Sequence, residues 1–547
     1  MTNSDPESAK RQGEHIADEM SGQVFVRRAS GLVRDFSTFD LFVVNMADCC
    51  VGFSFLTGAL WAASLYPDAY LTPLILAGAL MLVFVGIVYS LFAAAMPRSG
   101  GDYVWVGRTL NPLLGFIANW AQTWGMILAG GLFAWLFIDT VASILLTAGL
   151  QFDNPTLQSI GESLGGSGAL FGLGTLVIVL VTGAQLVSKK FLRTLLAALF
   201  WIAMISLVIH LYFFITASHE TFVANFNTLM AQYTGSEDSY NFIINLAREQ
   251  GNTSTPLGTW AGTLIALPLA FQFYIGFTST AYVAGEAKEP MRSQPIAILG
   301  TLAVSLLVLL VGMSAMYRVA GRDFINGLAY LDGLGENPVP VGVYSTFFSG
   351  LVSESPVLEL ISAIGMLAWP LMLVIVLMML PVRNLFAWSV DSLLPEAITK
   401  VDRRGTPVIA TLVIAFATWI IMILYLFTTI FELSLGLTAV TSVGFILVGI
   451  SAAIFPYQRQ DLYDRSPGIV RTLLGKTPLL VVSGVLMSMI YAFVFYSAVI
   501  TEGFGLPAWI FTILLFAVAI GIYYGAHTLR RRQGVNMDLM WKELPPD

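Results

Sequence analysis

Asn45-Met-Ala-Asp48-Cys-Cys-Val-Gly52-Phe-Ser54 lies in the middle of an otherwise apolar stretch, residues 37–65. An aspartate at the centre of a membrane helix is unfavourable by about 2.5–3.5 kcal/mol on insertion scales. Such residues usually face an aqueous path and have a partner. Polar, glycine-containing backbone is tolerated at membrane depth only where it is buried in protein or lines a cavity. A second stretch has the same character: Pro268, then Phe271-Gln-Phe-Tyr274-Ile-Gly276-Phe-Thr278-Ser279-Thr280, inside the apolar segment 257–285. Proline removes a backbone donor, and glycine weakens a helix by about 1 kcal/mol. Proline and glycine also kink helices that bind nothing, so either stretch alone is ambiguous.

The rest of the chain sets the class. Of 547 residues, 56% are hydrophobic and 11% charged, and the mean hydropathy is +0.78. A soluble domain carries roughly 25% charged residues. This balance excludes a disordered chain, a disulfide scaffold and an ordinary cytosolic enzyme, and leaves an all-α polytopic membrane protein. Strand alternation is absent, which argues against a barrel. The net charge of −7 says less than the placement of the charges and is no sign of nucleic-acid binding. Cys49 and Cys50 are adjacent and give neither a disulfide framework nor a metal-ligand spacing. Residues 1–36 read as a cytosolic segment without a signal-peptide core, with Phe25 to Phe36 placed along the headgroups.

A crossing needs about 20 apolar residues. Twelve stretches are expected to cross: 37–65, 71–96, 112–148, 169–187, 193–217, 257–285, 295–317, 356–390, 406–429, 432–455, 478–499 and 507–529. The third and eighth exceed one bilayer thickness and are expected to tilt, kink or protrude. With a cytosolic N-terminus, all 27 Lys and Arg except Arg248, Arg318 and Arg322 fall on one side. This is the positive-inside bias, and it places both termini, including the tail 530–547, in the cytoplasm.

Three stretches on that side carry a resemblance. They are Met96-Pro-Arg-Ser-Gly-Gly-Asp-Tyr-Val-Trp-Val106 with Asn111-Pro-Leu-Leu-Gly-Phe116, then Tyr282-Val-Ala-Gly-Glu-Ala-Lys-Glu-Pro-Met-Arg292, then Val382-Arg-Asn-Leu-Phe-Ala-Trp-Ser-Val-Asp-Ser-Leu-Leu-Pro395 with Arg404-Gly-Thr-Pro407. Together and in this order they resemble the amino acid–polyamine–organocation superfamily of permeases, over roughly 36–529. The resemblance implies a LeuT-like fold: a five-plus-five inverted repeat, here 37–217 and 257–455, with two further helices at 478–529. It implies breaks in helices 1 and 6, where the exposed backbone forms the substrate site. The two stretches quoted first fall at those matching positions.

The resemblance also implies which residues meet the substrate. Family members carry a small Gly-Ser-Gly-like run in helix 1 whose amides hold a carboxylate; the matching run is Cys50-Val51-Gly52, next to Ala47 and Asp48. Only one glycine remains there, which leaves organic amines open alongside amino acids. Tyr274 occupies the place of an aromatic gate two residues before Gly276, and Thr278 stands where relatives often have Glu. Ordinary packing is an equal reading of Tyr274. Asn119, Gln122 and Trp124 form a polar stripe on helix 3 that either lines the cavity or bonds to neighbouring helices. Glu286, in the Ala-Gly-Glu motif, reads as an inner-gate charge set against Arg98 or Arg383.

Asp48 has three readings: a partner for a substrate ammonium, a proton site, or a structural acceptor at the break. In sodium-coupled members of the wider fold, hydroxyls in helix 8 help to bind the ion. The level near Leu377 has none between Pro370 and Val382, so a proton is the expected coupling ion and sodium the lesser one. Some proton-driven relatives use a lysine in helix 5; here the interior ionisable group is His210, which reads as a hydrogen-bonding residue. No nucleotide-binding loop, zinc motif or nucleophile elbow is present, so no enzyme activity, metal or cofactor is expected. Loop 149–168 has no cysteine, so no disulfide-linked subunit is expected, and the protein is read as a monomer or homodimer in the plasma membrane. The expected function is proton-coupled transport of amino acids or related amines by alternating access. The alternatives are a sensor that kept the fold but does not turn over, an amine or polyamine exchanger, and a channel.

Overall fold

The computed structural model describes residues 34–254, 258–402, 406–428, 437–501, 505–533 and 537. The headgroup placement of Phe25 to Phe36 falls mostly outside the described residues, as do Arg404, Glu432 and most of the 530–547 tail. The chain is an all-α membrane protein. Among the described residues, 11 helical segments are long and apolar enough to cross a membrane: Thr38–Leu65, Leu71–Ala95, Pro112–Gln151, Ser167–Val187, Lys189–Thr216, Pro290–Ala320, Pro356–Val390, Val408–Phe427, Thr438–Gln458, Leu479–Ile500 and Ala508–Arg532. These match the expected stretches to within a few residues. The exception is 257–285, which forms three short pieces instead of one long helix: Trp260–Ile265, Leu267–Gln272 and a 3-10 segment, Ser279–Glu286.

The third span has 40 residues, about 60 Å at 1.5 Å per residue, against a hydrocarbon layer of roughly 30 Å. It runs as one helix from the Asn111 cap, whose side chain accepts from Leu113 N at 2.9 Å. Small residues let its neighbours approach. A Cβ on Gly131 would lie 2.6 Å from Ile421 Cγ2 on the Val408–Phe427 span. The last helix joins this post through Trp120, whose indole N–H donates to Leu515 O at 3.0 Å.

The first span and the broken sixth segment run antiparallel and are tied at both ends. At the end of the bundle that carries Lys189, Glu286 and Arg383 (the basic end), the amides of Asp35 and Phe36 donate to Glu286 O at 2.9 and 3.0 Å, and Lys288 N donates to Phe36 O at 2.9 Å. At the opposite end, Thr259 N donates to Asp68 O at 2.7 Å.

The connections at the opposite end are themselves folded. His219–Thr234, Ser239–Glu249, Arg322–Leu334 and Ser345–Val352 are helices. They bury Phe222, Phe226, Phe324, Phe347 and Phe348 as one aromatic cap, with Phe226 and Phe324 centroids 4.7 Å apart. Edge-to-face pairs of this kind contribute about 0.5–1.5 kcal/mol each beyond their buried area. The cap is fastened to the bundle where Arg322 Nη2 and Asn326 Nδ2 both donate to Pro67 O, at 2.6 and 3.1 Å. A search for long apolar stretches misses these helices because each is shorter than the roughly 20 residues a crossing needs.

The Thr438–Gln458 and Leu479–Ile500 spans pack backbone to backbone. A Cβ on Gly484 would lie 2.6 Å from Gly449 O and 2.7 Å from Ala453 N. Neither neighbour can yield, being main chain. Gly484→Ala is therefore expected to destabilise the purified protein by about 1–3 kcal/mol, the usual range for overpacking. Gly521→Ala, with nothing within 4 Å, should leave the melting temperature unchanged. Thermal unfolding in detergent checks both; equal melting temperatures for the two variants would refute the close packing.

Candidate functional site

The first span is two helices. Thr38–Cys49 ends and Val51–Leu65 begins at Cys50, a left-handed residue with φ 47° and ψ 45°. A left-handed residue other than glycine is unfavourable by roughly 1–2 kcal/mol and persists only where its surroundings hold it. The sixth segment is interrupted at the same depth. Its helix ends at Gln272, the chain turns through Gly276 at φ 90°, and the 3-10 segment follows.

The two breaks satisfy each other. Thr280 N donates to Asn45 Oδ1 at 2.8 Å, and Ser279 Oγ donates to Asp48 Oδ2. Cys49 Sγ lies 3.3 Å from Ser305 Oγ. The contact is close enough to require glycine at 276: a Cβ there would fall 2.6 Å from the Asp48 carbonyl carbon and 2.7 Å from its Cγ.

A cavity of about 140 Å³ opens between the breaks. A water needs roughly 10–15 Å³ on this measure, so the space suits a molecule the size of a small amino acid. Its polar wall includes Asp48, Gln122, Gln272, Thr278, Ser279 and Thr441; its apolar wall includes Phe53, Met126, Phe133, Leu373, Leu377 and Phe445. Asp48 is the one charged side chain among the lining residues, and it is 7% exposed. An ionised carboxylate in such a wall favours a bound cation or ammonium group, or a proton on itself. Among the described residues, no group of three His, Cys, Asp or Glu is placed to hold a metal ion.

Of the residues singled out from sequence, Asp48, Cys50, Gln122, Gly276 and Thr278 reach this wall. Ala47 and Val51 are fully buried away from it. Gly52 is turned toward Trp369 on the Pro356–Val390 span, whose indole ring would overlap a Cβ there. Tyr274 faces the second span and donates to Ile75 O at 2.9 Å. Asn119 lies on the basic side of the cavity, donating to Gly100 O at 3.2 Å and Asp102 Oδ1 at 2.6 Å and accepting from Trp388 Nε1 at 2.7 Å. Gln122 parts from Asn119 because three residues along the helix moves it up one turn, where its amide donates to Thr441 O at 3.0 Å. Sequence reasoning did not assign Ser279 to the site, although it stands beside Thr278 in the quoted stretch. It missed Phe53, Phe133, Gln272, Tyr282, Thr441 and Phe445 as well.

At the basic end Glu286 is fully buried between two cations, Lys189 Nζ at 2.8 Å and Arg383 Nε at 3.1 Å. Burial pushes its carboxyl up, but Arg383 and Lys189 outweigh that and hold it below the usual glutamate range. Arg98, expected as a partner, instead donates to Pro97 O at 3.1 Å; Lys189 takes that place. His210 is a buried bridge, with Nδ1 3.2 Å from Ser362 Oγ and Nε2 3.2 Å from Ser345 Oγ.

The sequence profile of the family described as "Amino acid permease" matches residues 36–518. The chain is 22% identical over 464 residues to the branched-chain amino acid permease BcaP of Lactococcus lactis subsp. cremoris, covering 84% of this chain and 87% of that protein. It is 25% identical over 308 residues to the glutamate/serine transporter AimA of Bacillus subtilis, covering 55% and 50%. It is 24% identical over 381 residues to the methylthioribose transporter of the same species, covering 68% and 71%. With the profile spanning both interrupted segments and the cavity between them, the chain belongs to the amino acid permease family, within the amino acid–polyamine–organocation superfamily.

Proposed function

We propose that the protein is a proton-coupled secondary transporter that moves an amino acid, or a related organic amine, through the central cavity by alternating access. The observation that carries this reading is the cavity between the two breaks, with one buried carboxylate in its wall. Asp48 carries the proton, and the freed backbone near Cys50 and Gly276 meets the polar ends of the substrate. Phe53, Phe133, Leu373 and Leu377 offer an apolar surface suited to a hydrocarbon side chain. The names of two relatives, one a permease for branched-chain amino acids and one a glutamate and serine transporter, support an amino acid substrate.

The apolar wall at Leu373 and Leu377 also favours a proton over sodium, which prefers a shell of oxygen ligands. Twelve crossings in a five-plus-five inverted repeat belong to this reading. So do cytoplasmic termini at the basic end, a plasma-membrane location, and an inner gate built on Glu286 and Arg383. The antiparallel ties between the first and sixth segments are what two oppositely inserted repeats require.

The expected outcome in proteoliposomes is counterflow of radiolabelled apolar amino acids with no imposed gradient; binding without exchange would favour a sensor instead. Asp48→Asn should keep counterflow while its gradient-driven accumulation falls at least tenfold, the loss of one driving proton per cycle across roughly one pH unit. Full gradient-driven accumulation by this variant would overturn Asp48 as the proton site. Gly276→Ala should weaken substrate binding at least tenfold, about 1.4 kcal/mol, because the methyl group would lie 2.6–2.8 Å from Asp48 and displace it from the cavity wall. Substrate-induced thermal shifts measure the change; unaltered shifts would place the substrate elsewhere.

A further inference from the structure

Three fully buried carboxylates lie at the basic end, and they differ in one respect. Glu286 is held by Lys189 and Arg383. Asp391 is held by Arg108 at 2.8 Å. Asp102 forms no ion pair among the described residues; its bonded side-chain partners are neutral, Asn119 Nδ2 at 2.6 Å on Oδ1 and the Tyr282 hydroxyl at 3.1 Å on Oδ2. Tyr282 also belongs to the wall of the central cavity. A buried carboxylate with no counter-ion therefore hangs from a phenol that reaches the transport site.

Asp102 is closed off from the water beyond the basic end. Gly100 N donates to Tyr282 O at 3.2 Å. A Cβ on Gly101 would lie 3.1 Å from Ala281 O, and one on Gly285 would lie 2.9 Å from Ser99 N. The 96–101 loop, which leads into the Asp102–Thr109 helix, is thus pressed against the 3-10 segment, and the two must part before water can enter. The other groups facing Asp102 do not neutralise it. Tyr89 of the second span is close, and Tyr103 adjoins it in the chain. Trp388 of the Pro356–Val390 span is bonded to Asn119. Just beyond the Thr438–Gln458 span, Arg459 is engaged by Asp461 at 3.0 Å and donates to Arg108 O at 2.7 Å.

We infer that Asp102 is a second proton-carrying group of the transport cycle, exchanging its proton with the central cavity along the Tyr282 hydroxyl and with the cytoplasm once the inner seal parts. The transfer balances: the Tyr282 O–H gives its proton to Asp102 Oδ2, and its oxygen takes one from a protonated donor in the cavity. Tyr282 returns to a neutral phenol, the carboxylate becomes a carboxylic acid, and the net movement is one proton. The acid later releases that proton to water at the basic end. Burial pushes the Asp102 carboxyl up to about 7, against the lowering effect of its bonds from Asn119 and Tyr282, so both protonation states are accessible near neutrality. The inference rests on the proton-coupled reading above, and two measurements separate its failure from the failure of that reading.

The first needs no substrate. A carboxyl whose folded value is raised above its unfolded one stabilises the fold fully at low pH and loses that contribution as pH rises. The melting temperature of wild type should therefore fall behind that of Asp102→Asn progressively between about pH 4 and about pH 7, and by a constant amount above. A gap independent of pH would overturn the inference.

The second uses proteoliposomes of the full chain and a mixture of radiolabelled proteinogenic amino acids. Asp102→Asn should reduce gradient-driven accumulation at least tenfold, a loss of one driving proton per cycle across roughly one pH unit, while counterflow, which moves no net proton, persists. Asp102→Glu should restore accumulation. Asn119→Ala removes a donor to the carboxylate and should move the pH midpoint of driven uptake upward; it also covers the case in which the Asp102 variants fail to fold. Wild type that shows no gradient-driven accumulation would sink the proton-coupled reading itself. Wild type that does, with Asp102→Asn driven equally well or the Asn119→Ala midpoint unmoved, would sink the role of Asp102 alone.

Discussion

Two interrupted backbones in a medium without water have to satisfy each other. A helix that stops at membrane depth leaves amides and carbonyls that lipid cannot bond. Here the break at Cys50 and the turn at Gly276 meet face to face, with Asn45 accepting from Thr280 N and Asp48 accepting from Ser279. The pairing fixes which residues stand in the cavity wall, and it demands a residue without a side chain at 276. Ties at both ends of the two segments hold the faces in register. Around this pair the longer helices act as supports, and small residues such as Gly131, Gly449 and Gly484 let them close in.

Much of this was legible in the residues. Eleven spans follow from hydrophobic length alone. The broken segment was betrayed by Pro268 and Gly276 in a stretch otherwise apolar enough to cross. Asp48 was marked by the free energy of placing a carboxylate there. What periodicity could not deliver was the direction of each side chain near the breaks. Within Ala47 to Gly52 the helix ends and restarts, so the regular 100° step fails, and Ala47, Val51 and Gly52 turn into the protein while Asp48 and Cys50 face the cavity. The same limit explains Tyr274, which sits two residues before the glycine yet bonds to the second span. Asn119 and Gln122 share one stripe on an unbroken helix, but the helix that starts at Asp102 covers only Asn119.

The charges at the basic end divide by company. Glu286 and Asp391 are fixed by cations, and Asp102 is not. Glu286 and Asp102, equally buried, thus differ in how readily they hold a proton. Removing one partner from a buried ion pair typically destabilises by about 3–5 kcal/mol, so the paired acids suit permanent contacts. A carboxylate held only by an amide and a phenol can change its protonation without stranding an opposite charge.

The aromatic cap has a bearing on how the protein is made. Its two halves, His219–Glu249 and Arg322–Val352, are separated by the broken segment and a complete membrane span. During synthesis Phe222 and Phe226 emerge well before the Phe324, Phe347 and Phe348 that cover them. Until residue 352 has been translated, a greasy surface waits without its lid. The cap therefore closes only after its second half has been made.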